Sequence, residues 1–162
     1  MRMLVCGIWM ALALTATADT ITGRVVGVAD GDTVTVLDAQ HVQHKIRLAG
    51  IDAPEKSQPF GNRSKQSLSD LAFDKAVVVE TDKRDRYGRE VGKVLVNGRD
   101  VNLIQVERGM AWHYKAYASE QSVNDQRLYE AAEIAAKVAR RGLWRDPEPM
   151  APWEFRKAQR GG

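Results

Sequence analysis

Short runs of alternating hydrophobic and polar residues follow one another in the first third of the chain, after an apolar N-terminus. Such alternation is typical of strands that bury one face. The runs are separated at residues 30–32 and 38–40 by Asp and Gly, which favour tight turns. Three strands joined in this way indicate an antiparallel meander. The predicted strands cover residues 20–29, 33–37 and 42–51.

Beyond this meander the spacing of apolar residues becomes that of a helix. Over residues 64–75 they recur every three or four positions, and Ser64 is the predicted N-cap. Two further strands are predicted at residues 76–81 and 89–96. Asn97-Gly98 follows the second of them and is a strong signal for a hairpin turn.

The second half of the chain contains two more predicted helices. Asp100 is the expected cap of a short helix that ends at Gly109, and a long amphipathic helix covers residues 122–141. The segment after Gly142 holds three prolines and is predicted to be non-helical. Five strands with interspersed helices indicate an α+β protein. A five-stranded Greek-key β-barrel of the OB type is the natural candidate for this order.

Composition and charge narrow the class of protein. The chain has 162 residues, with 24 Lys and Arg against 21 Asp and Glu and a formal net charge of +3. These values predict one domain and exclude a collagen, a disulfide scaffold, a multi-pass membrane protein and a mostly disordered chain. Residues 137–162 hold seven basic and three acidic residues. This basic end, with its Pro- and Trp-containing tail at about 146–162, is either a nucleic-acid contact or a solvated terminus.

The N-terminus has the pattern of a secretory signal peptide. Arg2 precedes an uncharged apolar run over residues 3–14, and Ala16 and Ala18 occupy the small-residue positions before a cut. We expect residues 1–18 to be removed, leaving a domain of residues 19–162 in the periplasm or the medium. A buried helix or an uncleaved anchor is the alternative. Cleavage also removes Cys6, the one cysteine, which excludes thiolate catalysis in the mature protein.

Four acidic residues lie in turns beside the predicted strands. They would suit a hard cation such as Ca²⁺, which prefers oxygen ligands. Zinc and copper are poor candidates because no His or Cys belongs to the group. The same sequences, Asp-Gly-Asp and Asp-x-Pro, are also common turn formers without any ligand. The four residues are Asp30, Asp32, Asp52 and Glu55.

Two arginines, Arg47 and Arg89, add a second kind of chemistry. A guanidinium group matches phosphate oxygens two bonds at a time and stays charged. Arg47 and Asp52 differ by an odd number of positions, but the end of a strand can bring both to one mouth of a barrel. A cation, two arginines and an extra carboxylate are the components of phosphodiester cleavage. Surface ion pairs are the simpler interpretation of each arginine.

In their order and spacing, five motifs resemble those of the thermonuclease (staphylococcal nuclease-like) family. The resemblance covers nearly all of residues 19–162 and implies an OB-type barrel with three α-helices. It also implies a Ca²⁺-dependent nuclease that acts on DNA and RNA and leaves 3′-phosphate ends. The motifs are residues 30–33 (DGDT), 46–55 (IRLAGIDAPE), 85–89 (DRYGR), 108–112 (RGMAW) and 142–144 (GLW).

The resemblance implies a role for each matching residue. Ca²⁺ would be bound by Asp32, Asp52 and the backbone carbonyl of Ala53, with Asp30 behind them. Glu55 would hold and activate the attacking water. Arg47 and Arg89 would bind the phosphate and stabilise the transition state. The positions that would contact the terminal phosphate and base are Tyr87, Tyr117 and Lys115.

Some positions depart from the family pattern. Ala53 stands where the best-known member has threonine, the segment after Glu55 is shorter, and Lys115 stands where a second tyrosine is expected. A non-catalytic OB-fold module that binds nucleic acid is the competing hypothesis, although the intact acidic set weighs against it. Trp144 and Trp153 are expected either to close the core or to stack on bases. We expect a monomer with no stable membrane association after processing.

Overall fold

A computed structural model describes residues 19–161, so that the predicted signal peptide at residues 1–18 lies outside the described residues. The strands are β1 (Asp19–Val28), β2 (Thr33–Asp38), β3 (Gln43–Leu48), β4 (Ile51–Asp52), β5 (Ala76–Arg84), β6 (Glu90–Val96), β7 (Arg99–Asp100) and β8 (Trp112–His113). The helices are α1 (Gly61–Ala72), α2 (Val101–Glu107), α3 (Val123–Val138) and α4 (Pro152–Arg160), with short 3₁₀ helices at Lys115–Glu120 and Gly142–Arg145.

Five strands close into a barrel. Antiparallel pairing joins them in the order β3-β2-β1-β5-β6, and a parallel pairing of β3 with β6 completes the ring. Strand β7 extends β6 as a short hairpin, while β4 pairs separately with β8. This arrangement confirms the prediction of an α+β protein built on a five-stranded OB-type barrel.

Alternating strand residues fill the barrel with a hydrophobic core. Val34 and Val36 of β2 and Ile46 and Leu48 of β3 belong to this core, and all four are almost fully buried. Helix α1 adds Leu68 to the same cluster, and α2 and α3 pack beside it through residues such as Val101 and Tyr129. Within residues 19–161, none of the helices is long and apolar enough to cross a bilayer.

Two predicted boundaries in the first half of the chain are wrong. The third strand does not run to residue 51 but ends at Leu48, because Gly50 adopts a positive φ of 72° and turns the chain. Helix α1 begins at Gly61, not at Ser64. Ser64 is buried inside the helix, where its hydroxyl donates to the Met110 carbonyl at 2.6 Å.

The other helix starts and the hairpin agree with the sequence. Asp100 caps α2 by accepting from the Leu103 N–H, and Ser122 caps α3 by accepting from the Asp125 N–H, each at 3.0 Å. Asn97 and Gly98 both have positive φ in the β6–β7 turn, as the Asn-Gly sequence predicted.

The C-terminal tail contains helix α4, and the prediction of a non-helical tail is wrong. Pro152 occupies the first turn, where a residue without an N–H is tolerated. The resemblance implied three helices, and α4 is a fourth within residues 19–161. Trp153 of α4 stacks on Tyr114 at 5.3 Å, and Trp144 is buried against Trp112 at 4.3 Å. Both tryptophans therefore pack on the protein itself.

Asn102 ties α2 to the barrel beside the parallel pairing of β3 with β6. Its amide donates to the carbonyls of Ala49 and Gly92 and accepts from the Val94 N–H, each at 3.1 Å. The residue is fully buried, so removing these partners leaves backbone groups unsatisfied. We expect Asn102→Ala to lower the free energy of unfolding by about 3 kcal/mol in urea titrations.

The exposed Asn124 of α3 provides the control for this stability prediction. Asn124→Ala is expected to change the free energy of unfolding by less than about 0.5 kcal/mol. A change of that small size in Asn102→Ala would show that the three hydrogen bonds do not stabilise the barrel.

Candidate active site

A cleft of about 880 Å³ opens where the β1–β2 turn, the end of β3, the β5–β6 turn and α4 approach one another. The predicted acids and arginines all line it, although they come from four separate segments of the chain. They are Asp30, Asp32, Arg47, Asp52, Glu55 and Arg89, together with Ala53. The cleft thus carries both signs of charge.

The β1–β2 turn supplies the first two acids. The Asp30 carboxylate accepts from the Asp32 N–H at 3.1 Å, which is a usual Asx-turn contact. Asp32 is buried, and its carboxylate accepts from the Thr33 hydroxyl at 3.1 Å and from the Ala53 N–H at 2.7 Å. The last bond ties the turn to the segment that follows β4, and it places Asp32 beside Asp52.

The turn at Gly50 brings Arg47 and Asp52 to the same side. Arg47 Nη1 donates to the carbonyls of Leu48 and Ile51, each at 2.9 Å, and Nη2 donates to Asp52 Oδ1 at 3.0 Å. Arg47 Nη1 also lies 3.4 Å from Asp32 Oδ2. The two residues would point to opposite faces of a continuous strand, so the turn is what makes the pair.

Glu55 is held through its backbone and keeps a half-exposed side chain in the cleft. Its N–H donates to the side chain of Gln58 at 3.1 Å, and its carbonyl accepts from the Gln58 N–H at 2.9 Å. Gln58 is itself buried and donates to the Met150 carbonyl at 2.6 Å. Gly61 begins α1 directly against the Glu55 carbonyl, where a Cβ atom would collide with that oxygen.

The β5–β6 turn presents Arg89. Asp85 accepts from the Arg89 N–H at 3.0 Å and from its Nε at 2.7 Å, and Arg89 Nη1 lies 3.3 Å from the Thr33 hydroxyl. Partial burial acts to raise the pKa of Asp85, but the hydrogen bonds from Arg89 and Tyr87 outweigh it and leave that pKa below its ordinary value. Asp85 is therefore ionised and orients the guanidinium.

A third arginine, Arg156 of α4, enters the same cleft. Its Nη2 donates to Asp52 Oδ2 at 2.7 Å, and its Nη1 donates to Glu55 Oε1 at 2.7 Å and to Asp52 Oδ1 at 3.3 Å. The sequence did not single out Arg156, because the tail was predicted to be non-helical. The one available signal was the excess of basic residues in that tail.

Burial and neighbouring charges together set the pKa values of the two acids Asp30 and Asp52. Burial, together with the charge of Asp32, raises the pKa of Asp30 to about 6. Burial also raises the pKa of Asp52, while Arg156 and Arg47 act in the opposite direction. Pairing with Asp52 raises the pKa of Arg156, which stays protonated.

The three predicted substrate contacts have different surroundings. Tyr87 and Tyr117 line the cleft and are exposed. Arg89 lies 5.6 Å from the Tyr87 ring centre, and Lys83 lies 5.5 Å from that of Tyr117. Lys115 is not among the residues that line the cleft, because its ammonium turns to α3, 3.7 Å from Glu130 and 3.8 Å from Glu133.

The oxygen atoms of the cleft suit a hard divalent cation. Arg47 bridges Asp32 and Asp52, so these two buried carboxylates are neighbours, and the Ala53 backbone adjoins them. Guanidinium groups already bind to this acidic surface. Within residues 19–161, no three His, Cys, Asp or Glu side chains form a ready-made metal cluster. A cation would thus rely on two carboxylates, a backbone carbonyl and water, which is a ligand set that Ca²⁺ accepts.

A barrel of the OB type with acids and arginines in one cleft has the features of a hydrolase that cleaves phosphodiester bonds. The family model described as "Staphylococcal nuclease homologue" matches residues 45–146. The chain belongs to this staphylococcal nuclease family and is a nuclease, which confirms the prediction made from the motifs. Asp32 lies before the matched range and Arg156 lies after it.

Curated relatives extend the similarity over almost the whole chain. A protein named "Micrococcal nuclease" from Shigella flexneri is 38% identical over an alignment of 169 residues, which covers 99% of this chain and 94% of the relative. An "Uncharacterized endonuclease" from Haemophilus influenzae is 41% identical over 139 residues, or 86% of this chain and 75% of the relative. "Protein ParB" from Escherichia coli is 41% identical over 145 residues, which cover 83% of this chain and 78% of the relative.

Proposed function

We propose that this nuclease is Ca²⁺-dependent and hydrolyses DNA and RNA, with attack by water at phosphorus and release of 3′-phosphate ends. The observation that carries the proposal is the meeting of Asp32, Asp52, Glu55, Arg47 and Arg89 in one cleft. The names of the relatives, nuclease and endonuclease, support the same class of substrate.

The acids divide into two groups by burial. Asp32, Asp52 and the Ala53 carbonyl would hold the cation, since the two carboxylates are buried and adjacent. A bound Ca²⁺ would offset the negative charge that develops on the phosphoryl oxygens. Asp30 supports the Asp32 backbone from behind. Glu55 is the more exposed carboxylate, so it is the one that can reach a water molecule in the cleft and accept its proton.

The arginines would bind the phosphate from two sides. Arg47 is fixed by the backbone carbonyls of Leu48 and Ile51, and Arg89 is fixed by Asp85. Groups held in this way lose little freedom when the substrate binds, so that they stabilise the extra charge of the transition state without reorganisation. Arg89 would also stabilise the departing 5′-oxygen. Tyr87 and Tyr117 would contact the nucleotide at the edge of the cleft.

Export and processing belong to the same proposal. The supporting pattern is the basic start, the apolar run and the small residues before Asp19. Cleavage after Ala18 would leave residues 19–162 as a monomeric enzyme in the periplasm or the medium. An exported nuclease would meet millimolar Ca²⁺ more readily than a cytosolic one, which agrees with the proposed cofactor.

A chelator-controlled digestion tests the activity. Purified protein is incubated with plasmid DNA or with RNA in CaCl₂, in MgCl₂ and in EGTA, and acid-soluble nucleotides are measured. We expect release from both substrates with Ca²⁺, loss of release in EGTA and recovery when Ca²⁺ is added again. Product ends should accept a 3′-extension by polymerase only after phosphatase treatment.

The outcomes separate the hypotheses. Undiminished hydrolysis in EGTA would contradict dependence on Ca²⁺. Digestion of only one of the two nucleic acids would restrict the substrate to that one. Tight binding of DNA with no hydrolysis in any divalent cation would support the non-catalytic binding module instead.

A further inference from the structure

Helix α4 places the Arg156 guanidinium on two of the acids that the proposed function assigns to the cation and to the attacking water. Asp52 accepts both of its closest contacts from Arg156 and Arg47, and Glu55 accepts from Arg156 as well. The Asp52 side chain is only 2% exposed. Its oxygens therefore have no free access from solvent while Arg156 occupies them.

The two arginines on Asp52 differ in how firmly they are held. Arg47 donates to two backbone carbonyls within its own turn, and 14% of its side chain is exposed. Within residues 19–161, the hydrogen bonds of the Arg156 guanidinium go to the two carboxylates, and 34% of its side chain is exposed. Of the two, Arg156 is the one that can leave Asp52 without breaking backbone contacts.

Helix α4 can stay attached when Arg156 leaves. The contacts that fix the start of the helix lie elsewhere, in the stacking of Trp153 on Tyr114, the burial of Pro152 and the bond from Gln58 to the Met150 carbonyl. Since an arginine side chain has several rotatable bonds, its head group can move into solvent while the helix remains docked. The exchange therefore does not require the fold to open.

We propose that Arg156 is an internal counter-ion that competes with the divalent cation for the Asp52 carboxylate, so that it sets the cation affinity of the nuclease site. The inference rests on the proposed function, because it takes Asp52 to be a cation ligand. A dication and a guanidinium group need the same oxygen lone pairs, and both satisfy the same buried negative charge. Arg156 takes Asp52 Oδ2 and approaches Oδ1, whereas Arg47 takes a single site on Oδ1. The dication therefore competes with Arg156, and each weakens the binding of the other to the same extent.

Calorimetric titration with CaCl₂ measures this competition directly, without any substrate. Arg156→Met keeps the long apolar stem and removes the charge and the donors. We expect Arg156→Met to bind Ca²⁺ about tenfold or more tightly than the wild type, because no docked guanidinium has to be displaced. The matched control is Lys157→Met, which removes the same charge from an exposed neighbour on α4. Its affinity should stay within about twofold of the wild type.

A second measurement follows the side chain in the unmutated protein. In ¹⁵N NMR spectra, the Nη resonances of Arg156, whose hydrogens bind the two carboxylates, are identified as those that Arg156→Met lacks. As CaCl₂ approaches saturation, these resonances should move to the positions of exposed arginines and exchange quickly with water, while the Nη resonances of Arg47 stay protected. An Arg156 resonance that remains unchanged at saturation would overturn the competition.

The counter-ion role of Arg156 and the Ca²⁺ site itself are contradicted by different results. If the wild type binds Ca²⁺ and Arg156→Met binds it equally or more weakly, the counter-ion role is wrong and the proposed Ca²⁺ dependence stands. If neither protein gives a binding heat at millimolar CaCl₂, the Ca²⁺ site itself is wrong and the competition falls with it.

Discussion

Glu55→Gln is expected to lower kcat by about 10²- to 10⁴-fold with little change in KM, because it removes the general base and keeps the size of the side chain. The amide cannot accept a proton from water at neutral pH. The backbone of residue 55 is held by Gln58, which the substitution leaves in place. A loss confined to kcat is the pattern expected when an interaction made in the transition state is removed.

The design of this test must separate catalysis from cation binding. Glu55 also accepts from Arg156, so Ca²⁺ affinity is measured by calorimetry in the same preparation and the assay is run at saturating CaCl₂. Glu80→Gln removes an identical carboxylate from an exposed position of β5 and should keep wild-type turnover. If Glu55→Gln turns over as fast as Glu80→Gln, Glu55 is not the base.

Sequence patterns that span only a few residues were sufficient to predict much of the fold. In the caps of α2 and α3, a side-chain oxygen accepts from the N–H three residues later, so Asp100 and Ser122 could be identified from the sequence. The alternation in β2 is equally local, and it places Val34 and Val36 inside. Because the motifs of the site lie at the ends of such strands, the predicted acids and arginines do meet in one cleft.

Local sequence patterns fail to predict a contact between residues that are far apart in the chain. They also fail where a turn interrupts the alternation of a strand. The residues around Ser64 suggest a helix N-cap. Ser64 is instead buried, and its hydroxyl donates to the carbonyl of Met110, 46 positions away. Nothing in the periodicity of residues 42–51 reveals that the strand breaks at Gly50. Arg156 reaches Asp52 over 104 positions, and Lys115 turns away from the cleft to α3. Such contacts follow from tertiary packing and leave no periodic mark in the sequence.

The C-terminal tail was wrongly predicted to be non-helical because of its prolines. Prolines usually end helices, so three of them after Gly142 predicted an irregular segment. Pro152, however, sits in the first turn of α4, where its missing N–H is not needed. The position of a proline within a helix decides its effect, and that position could not be known before the helix was found.

Arg89→Ala is expected to lower kcat/KM by about 10³-fold, or about 4 kcal/mol of transition-state stabilisation. Arg89 provides a cleaner test than Arg47, because Arg47 also holds the carbonyls that shape the β3–β4 turn. Removing Arg89 breaks a bond to Asp85 on the half-exposed β5–β6 turn, so the fold should survive. Arg99→Ala removes the same charge from an exposed position of β7 and should leave activity within about twofold.

Asp85→Asn separates the effect of the Arg89 charge on catalysis from the effect of its orientation by Asp85. Asparagine can still accept from the Arg89 N–H, but it loses the charged partner of the Arg89 Nε. We expect a loss of about tenfold in kcat, smaller than that of Arg89→Ala, because the guanidinium remains but is less rigidly aimed at the phosphate. Equal losses in the two variants would mean that the orientation by Asp85 is essential. Full activity in Arg89→Ala would remove Arg89 from the catalytic set and leave Arg47 to bind the phosphate without it.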